Sequence, residues 1–179
     1  EINGGIVVMD PFTGRVFALS GGFDFKQSNF NRVYQAKRQP GSSFKPFVYM
    51  SALENGLQPN SLILDAPFVV DQGSGLGKWK PENYGKKFYG PTTLRRGVES
   101  SRNLMTIRIA QYLGMENISE VANRTGIMND MPPVLSMALG AGETTLIQLT
   151  SAYSSFLNGG HKVKANLIDR IQDRRGKNI

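Results

Sequence analysis

The chain has no cysteine and a single histidine, His161, in 179 residues. Without thiols there is no thiolate nucleophile, no disulfide and no sulfur-based metal site. With one histidine there is no zinc site built on paired imidazoles, and a Ser-His-Asp triad would have to recruit His161. That residue lies in the turn-like run LNGGHK. No G-x-S-x-G elbow accompanies it, so it reads as a surface turn histidine. Long apolar runs are also missing: none reaches the roughly 20 residues of a membrane-spanning helix, and there is no signal-peptide pattern. Internal repeats and low-complexity tracts are lacking. An enzyme made from this chain needs a base other than histidine.

What is present suits one domain with a respectable core: 40% apolar residues and 20 glycines in 179 positions,. The chain starts at Glu1 rather than at a methionine, and it is expected to be a piece of something longer. The net charge of +7 is scattered over Lys37 and Arg38, Lys78 and Lys80, Lys86 and Lys87, Arg95 and Arg96, and the run from Arg170 to Lys177. No nucleic-acid motif goes with it, so no nucleic-acid partner is expected and the charge reads as a solvated, mildly basic surface.

Two β-rich runs, Gly5 to Met9 and Arg15 to Leu19, flank the turn DPFTG and predict a hairpin,. Residues 21–41 are polar and irregular. From Ser42 the spacing of Phe44, Phe47, Val48 and Ala52 predicts a helix that Gly56 stops,. Pro59, Pro67, Pro81 and Pro91 make 57–91 mostly loop, with a short strand at Phe68 to Val70,. Helices are predicted from Thr92 to about Ser100, from Asn103 to Leu113, over NISEVANRTG, and from Thr144 to Asn158 with Leu146, Leu149, Tyr153, Phe156 and Leu157 on one face,. The tail NLIDRIQDRRGKNI reads as a returning strand. The fold class expected is α+β, an antiparallel sheet interrupted by an α-helical insertion: two strands over 5–20, a helical lobe over 42–160 and the start of a strand over 166–179. A two-stranded hairpin is marginal by itself, so the sheet is incomplete.

The stretch RQPGSSFKPF, Arg38 to Phe47, carries the chemistry. Pro46 has no N–H and its ring collides with the carbonyl four residues back, so it is tolerated only in a first helical turn. The helix must therefore begin at about Gly41 to Ser43. Ser42 and Lys45, three apart, then share one face. The positive helix end favours negative charge developing at the serine oxygen. The same field, with burial, disfavours an ammonium at Lys45. A lysine so lowered can take the Ser42 proton and make the oxygen a nucleophile. A second element is Ser101-Arg102-Asn103, at a break between helices. A hydroxyl and a carboxamide there can relay a proton and hold a substrate amide, or they can simply cap the next helix.

S-x-x-K followed by S-x-N matches the two opening boxes of the serine acyltransferases that bind penicillin. The resemblance extends through GGIVVMDPFTGRVFALSGG, FNRVYQAKRQPGSSFKPFVY, KWKPENYG, GPTTLRRGVESSRN and LGAGETTLIQLTSAYSSFLNGG. Over its whole length the chain resembles the first half of the transpeptidase domain of class A penicillin-binding proteins, the bifunctional cell-wall synthases, in the form found in Gram-negative members. That resemblance implies a D,D-transpeptidase cross-linking peptidoglycan stem peptides and acylated by β-lactams. Ser42 would be the acylated nucleophile and Lys45 its base. Ser101 would carry a proton between Lys45 and the leaving D-alanine nitrogen, and Asn103 would contact Lys45 and the donor peptide. The Ser42 N–H would form half of the oxyanion hole. No cofactor or metal is implied. The partners implied are stem peptides, β-lactams, a glycosyltransferase domain in the parent chain and the remaining transpeptidase segment. The place implied is the periplasmic face of the inner membrane, with the anchor elsewhere.

The family's third box, K-[TS]-G, is missing. Arg124-Thr125-Gly126 reads as a helix end closed by glycine, so the box is expected beyond Ile179 and the chain alone is expected to be inactive. Among rivals, a class A β-lactamase shares the boxes but needs a deacylating glutamate, and Glu143 in GAGETTL reads as lying near a helix start. A penicillin-sensing domain and a non-catalytic cell-wall-binding domain of the same fold remain as alternatives.

Overall fold

The computed structural model describes residues 3–71, 77–168 and 170–179. In chain order its strands are β1 (Ile6–Met9), β2 (Val16–Ser20), β3 (Leu62–Asp65), β4 (Val70–Asp71), β5 (Lys78–Trp79) and β6 (Gly90–Thr93). Its helices are α1 (Lys45–Glu54), α2 (Leu94–Glu99), α3 (Asn103–Leu113), α4 (Met115–Thr125) and α5 (Leu146–Ser154), with 3₁₀ turns at Gly41–Phe44 and Leu135–Leu139. They fall into two compact units, one of Glu1–Arg38, Arg124–Met128 and Glu143–Ile179, the other of Gln39–Asn123 and Asn129–Gly142.

In the first unit β1 and β2 form the antiparallel hairpin, Ile6 opposite Ser20 and Val8 opposite Ala18, with a register shift between Val8 and Met9. The turn closes through its own chemistry. Asp10 Oδ1 accepts from the Phe12 N–H at 2.8 Å, and the Gly14 N–H donates to Asp10 O at 2.9 Å. Gly14 takes a φ of 75°, and a Cβ there would stand 2.2 Å from Lys164 O. Only glycine lets the chain pass that close.

Helix α5 opens on a capping box between Thr145 and Gln148,, and it packs on β1. Its buried apolar residues are Ile147 and Ala152, whereas Phe156 and Leu157 are 44% and 70% exposed. The expected face ran past the helix end at Ser154, where turns take the chain off the 3.6-residue period,. The strand expected over 166–179 is also not formed among the described residues. Asn166 makes a single parallel bridge to Arg15, and Gln172 pairs with Asn178. Between these, Asp173 Oδ1 accepts from the Arg175 and Lys177 N–H groups at 2.8 and 3.0 Å. Turn chemistry in DRRG outweighs the β propensity of its neighbours.

In the second unit the Gly41–Phe44 turn runs straight into α1, with Pro46 in the first turn. Phe44, Phe47, Val48 and Ala52 are fully buried, as are Leu104, Met105, Ile107, Ile109 and Ala110 of α3, against which α1 packs. Burying one such large side chain contributes about 1.5–3 kcal/mol, so this contact is what fixes the two helix starts that carry the site. A smaller cluster joins Phe68, Leu104 and Ile107 with Trp79 and Leu139 at its edge.

Residues 57–91 are mostly loop among the described residues, as expected, but the short strand expected at Phe68 to Val70 lies at Val70–Asp71 and it is not the only one. They supply two antiparallel ribbons, β3 with β6 and β4 with β5. The helix expected from Thr92 begins instead at Leu94, after β6, with the Thr93 side chain accepting from the Arg96 N–H as its N-cap,. The lobe expected over 42–160 is correspondingly shorter, since α5 belongs with the hairpin unit. Arg124 and Thr125 end α4, and Gly126 follows at a φ of 79°, the geometry of a glycine helix stop.

Candidate active site

Ser42 is exposed in the 3₁₀ turn, and its carbonyl accepts from the Lys45 N–H. Lys45 is 2% exposed. Its ammonium donates to Ser101 O at 2.7 Å, to Ser101 Oγ at 2.9 Å and to Asn103 Oδ1 at 2.5 Å. These acceptors occupy all three N–H donors of an ammonium. Burial lowers the lysine from 10.5 to about 8, so roughly one molecule in ten carries the neutral amine at pH 7. Losing one proton leaves two N–H donors to keep the tether and frees one lone pair.

Position 41 depends on position 140. The Gly41 N–H donates to Gly140 O at 3.2 Å, and Gly140 has a left-handed φ of 77°. A Cβ on Gly140 would stand 2.1 Å from Gly41 O and 2.7 Å from Gly41 C and N. Those are backbone atoms of the residue before Ser42, with no flexible tip to yield. Gly140→Ala is therefore expected to cost about 1–3 kcal/mol from its φ alone, and more from displacing the serine turn. Gly41→Ala, which also has a positive φ but meets nothing within 4 Å, serves as the control and should lose only the φ cost. Melting curves on both variants check this. Equal losses in the two would show that the contact does not set the turn.

Ser101 stands at the end of α2, not at the start of α3. Its N–H donates to Val98 O at 3.1 Å, and the Arg102 N–H donates to Gly97 O at 3.0 Å. That pair closes a Schellman motif, whose left-handed position glycine usually fills. Ser101 takes it with a φ of 51°, a conformation costing about 1–2 kcal/mol for a residue with a Cβ. The residue before α3 is Arg102, which gives no side-chain cap. The capping alternative for Ser101 and Asn103 does not describe this geometry, because both side chains turn to Lys45. Asn103 Nδ2 donates to Glu82 O at 2.8 Å.

Other residues here carried no assigned role in the sequence. Asp65, fully buried on β3, lies 3.8 Å from Arg102 Nε, and the Arg102 guanidinium sits 3.5 Å above the Tyr89 ring. Arg102 thus holds the middle of S-x-N from behind. The only signal for this in the sequence was the arginine between Ser101 and Asn103. Among the described residues, no group of three or more His, Cys, Asp or Glu side chains is placed to hold a metal.

A lysine bound between an S-x-x-K turn and an S-x-N turn is compatible with more than one kind of serine acyltransferase, and similarity to known proteins narrows the choice. Residues 4–178 match the penicillin-binding protein transpeptidase domain, and the chain belongs to that family. It is 50% identical over 179 residues to penicillin-binding protein 1A of Rickettsia conorii, covering 100% of this chain and 23% of that protein. It is 42% identical over 178 residues to the protein of the same name from Neisseria gonorrhoeae, covering 22% of it. The crystal structure of penicillin-binding protein 1A from Haemophilus influenzae superposes with a TM-score of 0.92 at 37% identity, over 99% of this chain and 26% of that one. The chain thus spans about a quarter of the length of these relatives.

Proposed function

We propose that this chain is the nucleophile-bearing part of a D,D-transpeptidase that cross-links peptidoglycan stem peptides and is acylated by β-lactams. The observation that carries the reading is the tether of Lys45 to Ser101 and Asn103, one helical turn from Ser42.

In the proposed reaction the neutral Lys45 amine takes the Ser42 proton as Oγ bonds to the carbonyl carbon between the two terminal D-alanines. The tetrahedral oxyanion is received by the Ser42 N–H, at the unpartnered start of the turn, and by a second N–H from the strand bearing K-[TS]-G. Collapse breaks the C–N bond, and the proton returns from Lys45 through the Ser101 hydroxyl to the leaving D-alanine nitrogen. Asn103 holds Lys45 and meets the donor peptide backbone. An amine of a neighbouring stem peptide then attacks the acyl carbon; the C–O bond to Ser42 breaks, and the amine's proton passes through Ser101 and Lys45 to Oγ, restoring the serine. A β-lactam opens its ring in the first step and stays on Ser42.

In this reading residues 1–179 are the first part of one transpeptidase domain. The remaining segment and a glycosyltransferase domain belong to the parent protein, at the periplasmic face of the bacterial inner membrane. Among the described residues no helix is long and apolar enough to cross a membrane.

The test is to incubate the full-length protein with pentapeptide-bearing peptidoglycan and measure cross-linked dimer and released D-alanine. Both are expected, and penicillin pretreatment should remove both. Penicillin uptake without either product would identify a sensing domain, and absence of uptake a wall-binding module.

A further inference from the structure

We propose that Asn83 is a positioning residue for Asn103, acting as a helix cap supplied from another segment. This rests on the reading of Lys45 and Asn103 given above. Helix α3 begins without a cap of its own, because a guanidinium at Arg102 has no acceptor to offer its first-turn N–H groups,. The Leu104 N–H nevertheless has a partner, Asn83 Oδ1 at 3.3 Å.

Asn83 is 4% exposed and its amide has one possible orientation. Nδ2 donates to Asp65 Oδ1 at 2.7 Å and to Lys87 O at 2.9 Å. A carboxylate and a carbonyl accept only, so the amide nitrogen must face them and the oxygen must face Leu104. The preceding residue applies the same logic to Asn103. Glu82 O takes the Asn103 Nδ2 hydrogen at 2.8 Å, which leaves Oδ1 for the Lys45 ammonium. A flipped Asn103 would present N–H donors to an ammonium and a lone pair to a carbonyl, both repulsive. Two adjacent residues therefore fix the start of α3 and the direction of the amide that holds the lysine.

The brace is itself anchored. Pro81 fixes φ just before it. The Lys86 N–H closes the loop onto Asn83 O at 2.9 Å, and the Tyr89 N–H donates to Asp65 O at 3.2 Å. The loop is thus tied to the β3–β6 ribbon on one side and to α3 on the other. Releasing Asn83 lets the Glu82 carbonyl and the Asn103 amide move together, and the rate falls through misplacement of Lys45.

The experiment is a double-substitution cycle in the full-length protein, read as the acylation rate with fluorescently labelled penicillin V. Asn83→Ala is expected to slow acylation about tenfold in the wild-type background and by less than about twofold in the Asn103→Ala background, the non-additivity of residues acting through one contact. Equal slowing in both backgrounds would make Asn83 a general support of the fold and overturn the inference. A wild-type rate for Asn83→Ala, with Asn103→Ala slow, would overturn it while leaving the role of Asn103 standing. A wild-type rate for Asn103→Ala would remove the Asn103 reading itself, and the inference with it. If Asn83→Ala shows no cooperative melt, Asn83→Ser goes through the same cycle under the same criteria, since its hydroxyl can still donate toward Asp65 while the amide oxygen that accepts from Leu104 is lost.

Discussion

Full-length protein carrying Ser42→Ala is expected to take up no labelled penicillin, while the wild type forms an adduct that maps to Ser42. The alternative acceptor is next door. Ser42 and Ser43 are both exposed in the same 3₁₀ turn, and mass spectrometry of the labelled peptide separates them. What favours Ser42 is spacing: it lies three residues before Lys45, and residues three apart share a helical face whereas neighbours two apart do not. The Ser43 N–H is also engaged with Pro40 O at 3.2 Å, which ties that residue to the preceding turn. A serine-to-alanine change at an exposed turn position costs little stability, so an unaltered melting curve with no labelling is the expected pair of results. An adduct on Ser43 would overturn the assignment.

Lys45→Ala is expected to slow acylation by about 10²–10⁴-fold, the usual scale of lost acid–base assistance. The chain has one histidine, and its main chain is tied to the Asn158 side chain in a turn. In the wild type the acylation rate should rise with pH through about 8, where burial has placed the lysine, and level off above it, because only the neutral amine accepts the proton. The variant should lose that rise. Linkage gives an independent sign. The unfolded lysine titrates near 10.5 and the folded one near 8, so between these values the unfolded chain binds more protons. The Lys45 contribution to stability therefore increases as pH rises through that window. A wild-type rate for Lys45→Ala would place the base elsewhere.

Ser42 and Lys45 were legible because two backbone-restricted residues, Gly41 and Pro46, fix where the helix starts, and local rules suffice there. Ser101 and Asn103 were legible as a pattern but not as geometry. Their surroundings look like capping chemistry, and nothing local says that a serine will occupy the left-handed position of a helix stop. The ribbons of 62–93 were missed for a related reason. Strands of two to four residues among prolines and glycines have no periodicity to detect, and their pairing joins residues far apart, such as Ile63 with Thr92,. Asp65 is the extreme case. A buried carboxylate is explained by Asn83 and Arg102, and no window around position 65 contains either.

The left-handed Ser101 sets chemistry against folding at a single codon. Glycine would relieve the turn, and the main-chain carbonyl that accepts from Lys45 at 2.7 Å would survive any exchange of side chain there. Tethering of the lysine therefore gives selection little reason to keep a hydroxyl at this position, and folding gives it a reason to discard one. In the proposed reaction only proton transfer to the departing amine holds the serine in place. A lineage that formed no acyl-enzyme, with stem peptide or with β-lactam, would be free to drift toward glycine at position 101; one that still forms it would not, because both substrates break a C–N bond whose nitrogen must take a proton.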